Sequence, residues 1–404
     1  MVNADRSAWP PVTYEERPWS VHEAYASRTQ LRRHAGPYSA AVVPAIEGQP
    51  VRLSTALQTE VADAAHELVR FDAHVAAELG SDGEIGPMSA VLLRTESAAS
   101  SQIENLTVGA RQLALAELGE HTNRNARIVT ANVRSMQAAV ELSRSVDGDT
   151  ILAMHRELLT ESDAEHAGQW RSEQVWIGGG SVGPHLADFI PPHSDRVQEA
   201  IDDLILFVHR TDVPALAHIA LAHAQFETIH PFTNGNGRTG RALVHAMLSG
   251  KGLTRHVTVP ISAGLLVRTK SYFEALTAYR SGDPEPIVRQ FVDATCYATG
   301  SGAELVSRLS ATRMSYRERT TARSDSFVWR VIDTLVAQPV VNTTYVADRF
   351  GISGVAAQRA IDRLVDSGVL REASNRARNR VWQADEILGA LDDFAAGIRR
   401  VRDR

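Results

Sequence analysis

The sequence predicts a mainly α protein: a helical body carrying one small β-hairpin flap, followed by a separate C-terminal unit of helices with a two-stranded wing. Three observations carry this prediction. Apolar residues recur at helical spacing through most of the body. The run Gln174-Val-Trp-Ile-Gly-Gly-Gly-Ser-Val-Gly183 is too rich in glycine for a helix and has the composition of a hairpin. Near the C-terminus, short helical patterns give way to two strand-like strings, Gly368-Val-Leu-Arg-Glu372 and Asn379-Arg-Val-Trp-Gln383, which can pair.

Residues 1–50 are rich in Pro, Ser and Arg without lasting periodicity, which predicts an irregular arm. From Thr55 to Leu79, Val61, Ala64, Leu68, Phe71 and Val75 mark one helical face, and the segment from Gly80 to Gly86 closes it. Helices are expected over 87–96, briefly over 101–106, over 109–118 and over 125–145, where Val129, Val133, Met136 and Val140 share a face. Another covers 148–160. After the flap and Pro191-Pro192, helices follow over 194–209, 212–229, 237–248, 270–280 and 285–296. The body is expected to end near residue 300, with 301–325 as a linking segment. The last unit predicts helices over 327–336, 343–350 and 354–367. Ser353 caps the third, and Val355, Ile361, Leu364 and Val365 supply its buried stripe.

Composition bounds the function. With 44% hydrophobic and 22% charged residues, the chain has the make-up of a globular protein with a sizeable core. Its single cysteine, Cys296, excludes an internal disulfide and a thiolate metal cluster. The first residues lack the charged-then-apolar pattern of a leader, and no apolar run is long enough to span a membrane, so a cytoplasmic protein is expected. Only Lys251 and Lys270 are lysines among 42 basic residues, a coding bias rather than a functional signal. Residues 301–404 hold 17 basic and 13 acidic side chains, net +4, against −6 for the whole chain.

The stretch His230-Pro-Phe-Thr-Asn-Gly-Asn-Gly-Arg-Thr-Gly-Arg241 concentrates the chemistry. Its glycines let amide N–H groups converge on anionic oxygens, and a helix opening near Gly237 adds its positive end. Asn236 offers an amide donor at the same place. Arg238 and Arg241, three residues apart, present forked donors to different phosphates. His230 can accept a proton from an incoming hydroxyl near neutral pH, and Phe232 is expected to anchor the loop. A histidine that merely ends a helix is the bland alternative for His230, and its neighbours outweigh it.

The same stretch resembles the signature of the Fic (Fido) family, His-Pro-Phe-x-(Asp/Glu)-Gly-Asn-Gly-Arg-x-x-Arg, at eight of its nine specified positions. The likeness covers about residues 50–300. It implies a Fic-type helical core and an enzyme that moves AMP from ATP to a Ser, Thr or Tyr hydroxyl of a target protein. It implies His230 as general base and Thr233, Asn234, Gly235, Asn236 and Gly237 as a phosphate cradle. Arg238 would lie on the inner phosphates and Arg241 on the γ-phosphate. Asn234 departs from the pattern: the family usually has a carboxylate there that binds Mg²⁺, and an amide oxygen holds a hard cation more weakly, directly or through water.

Three further segments share the resemblance. Ser100-Ser-Gln-Ile-Glu104-Asn105 is similar to the family's inhibitory helix, (Ser/Thr)-x-x-x-Glu-(Gly/Asn), here near 98–106. That implies a Glu104 which pairs with Arg241 and takes the γ-phosphate position; a surface glutamate on an ordinary helix is the alternative. The flap, with Val175, Trp176, Ile177 and Gly178, is implied to pair edge-on with a target segment, although Trp176 and Ile177 fit a core equally well. Tyr272-Phe273 resembles an aromatic pair near the adenine pocket and also fits a plain core stripe. His155, His185 and His223 lack ligand spacing and are read as packing or surface residues.

The C-terminal unit resembles a winged helix-turn-helix domain. The expected order is therefore an arm at 1–50, a helical region at 51–120, the Fic core at 121–300, a linker at 301–325 and the winged helix at 326–404. Arg359 and Arg363 on its third helix, with Arg376, Arg378 and Arg380 in the wing, suit DNA phosphates. Asp362 and Asp366 share that helix, so DNA binding and protein contact, including a homodimer, both stay open. The expected function is protein adenylyl transfer restrained by Glu104. The alternatives are a nucleotide-sensing DNA-binding regulator, AMP removal, and transfer of another phosphate group such as phosphocholine on the same fold.

Overall fold

The computed structural model of the chain describes residues 9–20, 27–79, 85–120, 123–180, 182–373 and 380–402. In chain order its elements begin with β1 (Thr13–Arg17), α1 (Arg28–Arg33), β2 (Tyr38–Val42), α2 (Thr55–Leu79) and α3 (Ile85–Ile103). Next come α4 (Ala110–Glu117), α5 (Arg124–Glu141), α6 (Gly148–Leu159), α7 (Val197–Val208), α8 (Ala215–Ile229) and α9 (Asn236–Gly250). These are followed by α10 (Ile261–Val267), α11 (Thr269–Arg280), α12 (Glu285–Arg319) and α13 (Phe327–Ala337). The last are β3 (Val340–Asn342), α14 (Thr343–Phe350), α15 (Gly354–Asp366), β4 (Arg371–Glu372), β5 (Val381–Gln383) and α16 (Asp385–Arg402). The fold is mainly α, as the periodicity predicts. Two compact units emerge: Met1–Asp63 with Ala138–Lys251 and Lys270–Val292, and Ala64–Gln137 with Gly252–Thr269 and Asp293–Arg404.

The first unit is organised around α8, buried on every side from Leu216 to Ile229. A helix so enclosed must satisfy its polar groups internally. His218 Nε2 meets Phe207 O at 2.7 Å, Gln225 Nε2 donates to Pro44 O at 2.9 Å, and Tyr279 Oη donates to Gln225 Oε1 at 2.8 Å. Asp147 caps α6 by accepting from Thr150 N at 2.8 Å.

The arm departs from expectation. β1 and β2 pair antiparallel from Thr13↔Val42 to Arg17↔Tyr38, and the buried Trp9 packs 5.6 Å from the Tyr279 ring. Each strand finds its partner far along the chain, beyond the window in which periodicity is read. The flap departs too. Among the described residues of 174–183 no two-stranded hairpin forms; an isolated antiparallel bridge joins Ile177 to Phe189. Gly178, Gly179 and Gly180 hold φ of 78°, 73° and 88°, so the chain coils where extended strand was expected.

In the second unit, the separate helices expected over 87–96 and 101–106 are one helix, α3. The segment expected to close α2, 80–84, and the wing residues 374–379 with Arg376 and Arg378 lie outside the described residues. α12 runs unbroken to Arg319, through the expected boundary at 300. β3, β5 and β4 form a three-stranded antiparallel sheet; the β4–β5 pairing is as expected, and β3 adds a strand beyond it.

The C-terminal elements are not a separate body. Ala114 and Leu115 of α4 share an apolar cluster with Val340, Val381 and Leu388. Polar staples reinforce it. Arg94 of α3 pairs with Glu117 and donates to Ala337 O, Gln338 Nε2 donates to Ala114 O at 2.8 Å, and Arg111 Nε donates to Gln383 Oε1 at 2.7 Å. Ser353 caps α15 as expected, accepting from Ala356 N at 3.2 Å. Its buried face is Ala357, Ala360, Ile361 and Leu364, whereas Val355 is 64% exposed and Val365 is exposed as well. At about 100° per residue Val355 lies opposite Leu364 on the helix and Val365 at the margin of the buried face, so the expected stripe is misdrawn at both.

Candidate active site

His230 ends α8 in a left-handed conformation, φ 52° and ψ 59°. Non-glycine residues rarely adopt it, and strain of about 1–3 kcal/mol persists only where surroundings impose it. Here the imposing group is Arg171. Its Nε donates to His230 O at 2.9 Å, Nη1 to Glu173 O at 3.0 Å and Nη2 to Pro192 O at 2.5 Å, while its backbone N donates to Pro231 O at 3.0 Å. Burial pushes the guanidinium down to about 10, which leaves it cationic at neutral pH. Its charge also suits the carbonyl end of α8.

The loop beyond is pinned from below. Phe232 is fully buried and stacks on His155, with ring centroids 3.6 Å apart and 6° between planes, and on Trp170 at 5.0 Å. His155 Nδ1 accepts from Gly168 N at 3.0 Å, which assigns the ring proton to Nε2, and Nε2 donates to Asn234 O at 3.0 Å. Burial lowers this imidazole to about 4, so it is neutral at physiological pH. Asn236 closes the turn on itself: Oδ1 accepts from Phe232 N at 2.9 Å and Nδ2 donates to Phe232 O at 2.8 Å. The cradle amide expected of Asn236 is thus largely a staple, with one N–H left over.

Gly235 caps α9 at φ 78°, where a Cβ would come within 2.9 Å of Leu158 Cδ2. α9 opens at Asn236, one residue earlier than expected; its first backbone bond runs from Thr239 N to Gly235 O at 3.0 Å, and the N–H groups ahead of it are those that a helix start leaves without a helical carbonyl. Arg238 and Arg241 are both buried on this helix, Thr233 and Gly237 are half-buried, and Asn234 is exposed. The stretch therefore offers a helix N-terminus, backbone amides and two enclosed guanidinium groups beside an imidazole. That set suits a polyphosphate and a proton acceptor.

The imidazole of His230 is about one-fifth exposed while its Nδ1 is buried, so the opposite edge reaches the surface. Burial foremost, then Arg280 and Arg171, push it down to about 3, with the Glu227 backbone carbonyl acting in the opposite sense. A neutral imidazole is ready to accept a proton.

Tyr272 is 1% exposed, and its hydroxyl bonds His223 Nε2 at 2.7 Å while His223 Nδ1 reaches Gly240 O at 3.1 Å. Tyr272 thus supports α9 from the core instead of offering an open aromatic edge, and Phe273 lies exposed on the surface. In the flap, Ile177 N donates to Phe189 O at 2.9 Å and Ile177 O accepts from Asp188 N at 2.8 Å, so its backbone is already paired. Val175 and Trp176 are half-buried, Gly178 is exposed, and Trp176 meets the Trp19 ring edge-on at 5.5 Å. Tyr38 Oη donates to Gln174 Oε1 at 2.9 Å, so the arm braces the flap.

In the second unit Ser100 is buried and Glu104 is half-buried in the turn that ends α3. Asn105 is left-handed at φ 62°, and Leu106 N donates back to Ser101 O at 3.0 Å. A helix terminated in this way needs Gly or Asn at that place, which accounts for the residue found after Glu104. The spacing of residues did not reveal Arg171, His155, Arg280 or Glu227 as parts of the site, because burial of a polar side chain is decided by distant neighbours. No group of three or more His, Cys, Asp or Glu side chains able to hold a metal occurs among the described residues. Among those residues, too, no helix is long and apolar enough to cross a membrane.

Comparison with known proteins supports the motif. Residues 145–248 match the Fic/DOC family. The "Protein adenylyltransferase Fic" of Nematostella vectensis is 30% identical over 153 residues, 37% of this chain and 32% of that protein. The "Protein adenylyltransferase fic-1" of Caenorhabditis elegans is 30% identical over 144 residues, 35% of this chain and 25% of that protein. The chain therefore matches a third or less of these relatives' length. A crystal structure of a Fic family protein from Desulfovibrio desulfuricans G20 has the same fold, with TM-score 0.53 and 20% identity over 83% of this chain and 97% of that one.

Proposed function

We propose that this Fic/DOC-domain chain is a protein adenylyltransferase that moves AMP from ATP to a Ser, Thr or Tyr hydroxyl of a target protein in the cytoplasm. The observation that carries the reading is His230: a neutral imidazole locked in a left-handed turn directly before the N-terminus of α9, with Arg238 and Arg241 on that helix. The target oxygen forms a bond to the α-phosphorus, the bond to the β-phosphate oxygen breaks, and pyrophosphate leaves. The hydroxyl proton passes to His230, whose exposed edge is the accepting one. First-turn amides of α9 and the two arginines orient the polyphosphate and stabilise charge as it shifts.

Mg²⁺ enters with ATP as part of the substrate. Asn234 is exposed at the loop and supplies an uncharged oxygen, so the phosphates hold the ion more than the protein does. The flap around Val175 and Trp176 takes the target segment, and Glu104 restrains transfer. The elements from α13 to β5 act as a winged helix that docks on protein, a reading supported among the described residues by the pairing of Arg371 with Asp385 and of Arg380 with Glu372.

The test is incorporation of label from α-³²P-ATP into lysate protein. Glu104→Gly should raise incorporation at least tenfold (about 1.4 kcal/mol in barrier), and Glu104→Gly/His230→Ala should abolish it. Tight ATP binding without labelling in any variant would favour the nucleotide-sensing alternative.

A further inference from the structure

Glu227 lies one turn before His230 on α8, with its side chain only 9% exposed and Oε2 4.0 Å from His230 Nδ1. Nδ1 itself is buried and makes no hydrogen bond of ordinary geometry, with the backbone carbonyl and the carboxylate of Glu227 both on its side of the ring. Room for the carboxylate is provided across the packing of α8 against α9. At Gly240 a Cβ would come 2.9 Å from both Glu227 Oε1 and Phe226 Cδ1, so any larger residue there would displace the acid. The other charged groups around the ring are cations. Arg171 holds the His230 carbonyl, and Arg280, from the end of α11, donates to Glu227 O at 3.4 Å with its guanidinium 3.8 Å over the Phe189 ring. A proton taken by His230 would thus appear between two guanidinium groups, in a buried setting where like charges repel strongly.

Resting on the reading of His230 as the base, we propose that Glu227 is its positioning residue: the carboxylate holds the ring with its proton on Nδ1 and balances the imidazolium that forms during transfer. With Nδ1 protonated and turned toward Glu227, the lone pair sits on Nε2, at the exposed edge where a target hydroxyl arrives. When Nε2 takes the hydroxyl proton the ring becomes cationic and Glu227 stays a carboxylate; no proton moves to it. The 4.0 Å separation closes to a hydrogen bond as the imidazolium forms, a tightening common to catalytic pairs. The role is distinct from that of Glu104, which belongs to the other compact unit.

The experiment uses the full chain with ¹⁵N-labelled histidine. Long-range ¹H–¹⁵N correlation spectra, with His230 assigned by its loss in His230→Asn, should show the Nδ1–H tautomer in the unmodified chain and a shift toward Nε2–H in Glu227→Leu. An Nε2–H tautomer in the unmodified chain, or the same tautomer in both, overturns the proposal. This readout does not depend on any transfer activity, so a failure of the adenylyltransferase reading is seen separately, as absent labelling in Glu104→Gly. In that Glu104→Gly background, Glu227→Gln should lower kcat at least about tenfold with KM for ATP within about twofold. An unchanged kcat, or a change in KM alone, also overturns it.

Discussion

Replacing Arg171 by Met should cost the first unit far more than an average substitution. Arg171 is 4% exposed and its guanidinium donates to the carbonyls of His230, Glu173 and Pro192. Methionine fills most of the aliphatic volume but supplies no donor, so three enclosed carbonyls lose a charged partner together. Each such loss costs about 1–3 kcal/mol. Water can reach part of the space, so the low end of the sum applies, about 3 kcal/mol. His230 also loses the clamp that keeps it left-handed, and relaxation of that residue misaligns the loop that follows. The assays are urea unfolding and hydrogen exchange of amides over 227–241. Exchange there should accelerate by about two orders of magnitude, the equivalent of 3 kcal/mol, and ATP affinity should fall. Arg171→Lys should recover only part, because an ammonium cannot span three carbonyls with a planar fork. A loss below about 1 kcal/mol with unchanged exchange would refute the claim that this arginine imposes the conformation of His230.

Two further outcomes follow from buried groups and glycine geometry. His155 and His218 are held down to about 4, and His223 and His230 to about 3, chiefly by burial. A histidine depressed in the folded state gives stability that is full above its unfolded value, near 6.5, and is lost as pH falls below it. His223, fully buried, should alone account for about 2 kcal/mol of loss between pH 7 and 5; a flat urea-midpoint profile over that range would count against it. Gly235→Ala should cost about 1–3 kcal/mol, since it joins left-handed strain to a clash with Leu158. Gly351→Ala is the control, with φ 62° and open space around the added methyl, and should cost only the backbone part; equal melting losses for the two would show that the Leu158 contact does not matter.

Most helices were legible because their spacing is local information: Val61, Ala64, Leu68, Phe71 and Val75 are all buried in α2, as their pattern requires. The candidate stretch was picked out for the same reason, its histidine, glycines and arginines lying within twelve consecutive positions. Grouping apolar residues without checking the angle misleads. Val355 was placed with Ile361 and Leu364, yet at about 100° per residue it lies opposite Leu364 on α15 and stays exposed.

The sequence by itself determined where helices run and which segment carries a glycine-rich helix start beside an ionisable ring, since both depend on neighbours a few residues apart. Tertiary structure alone decided that β1 finds β2, that Arg171 and His155 hold the loop, that Tyr272 faces the core, and that α4 shares a core with β3 and β5. Those outcomes depend on desolvation. A charged or polar side chain becomes a structural clamp only when distant segments remove water from around it and present partners at hydrogen-bonding distance, and no local run of residues encodes that meeting.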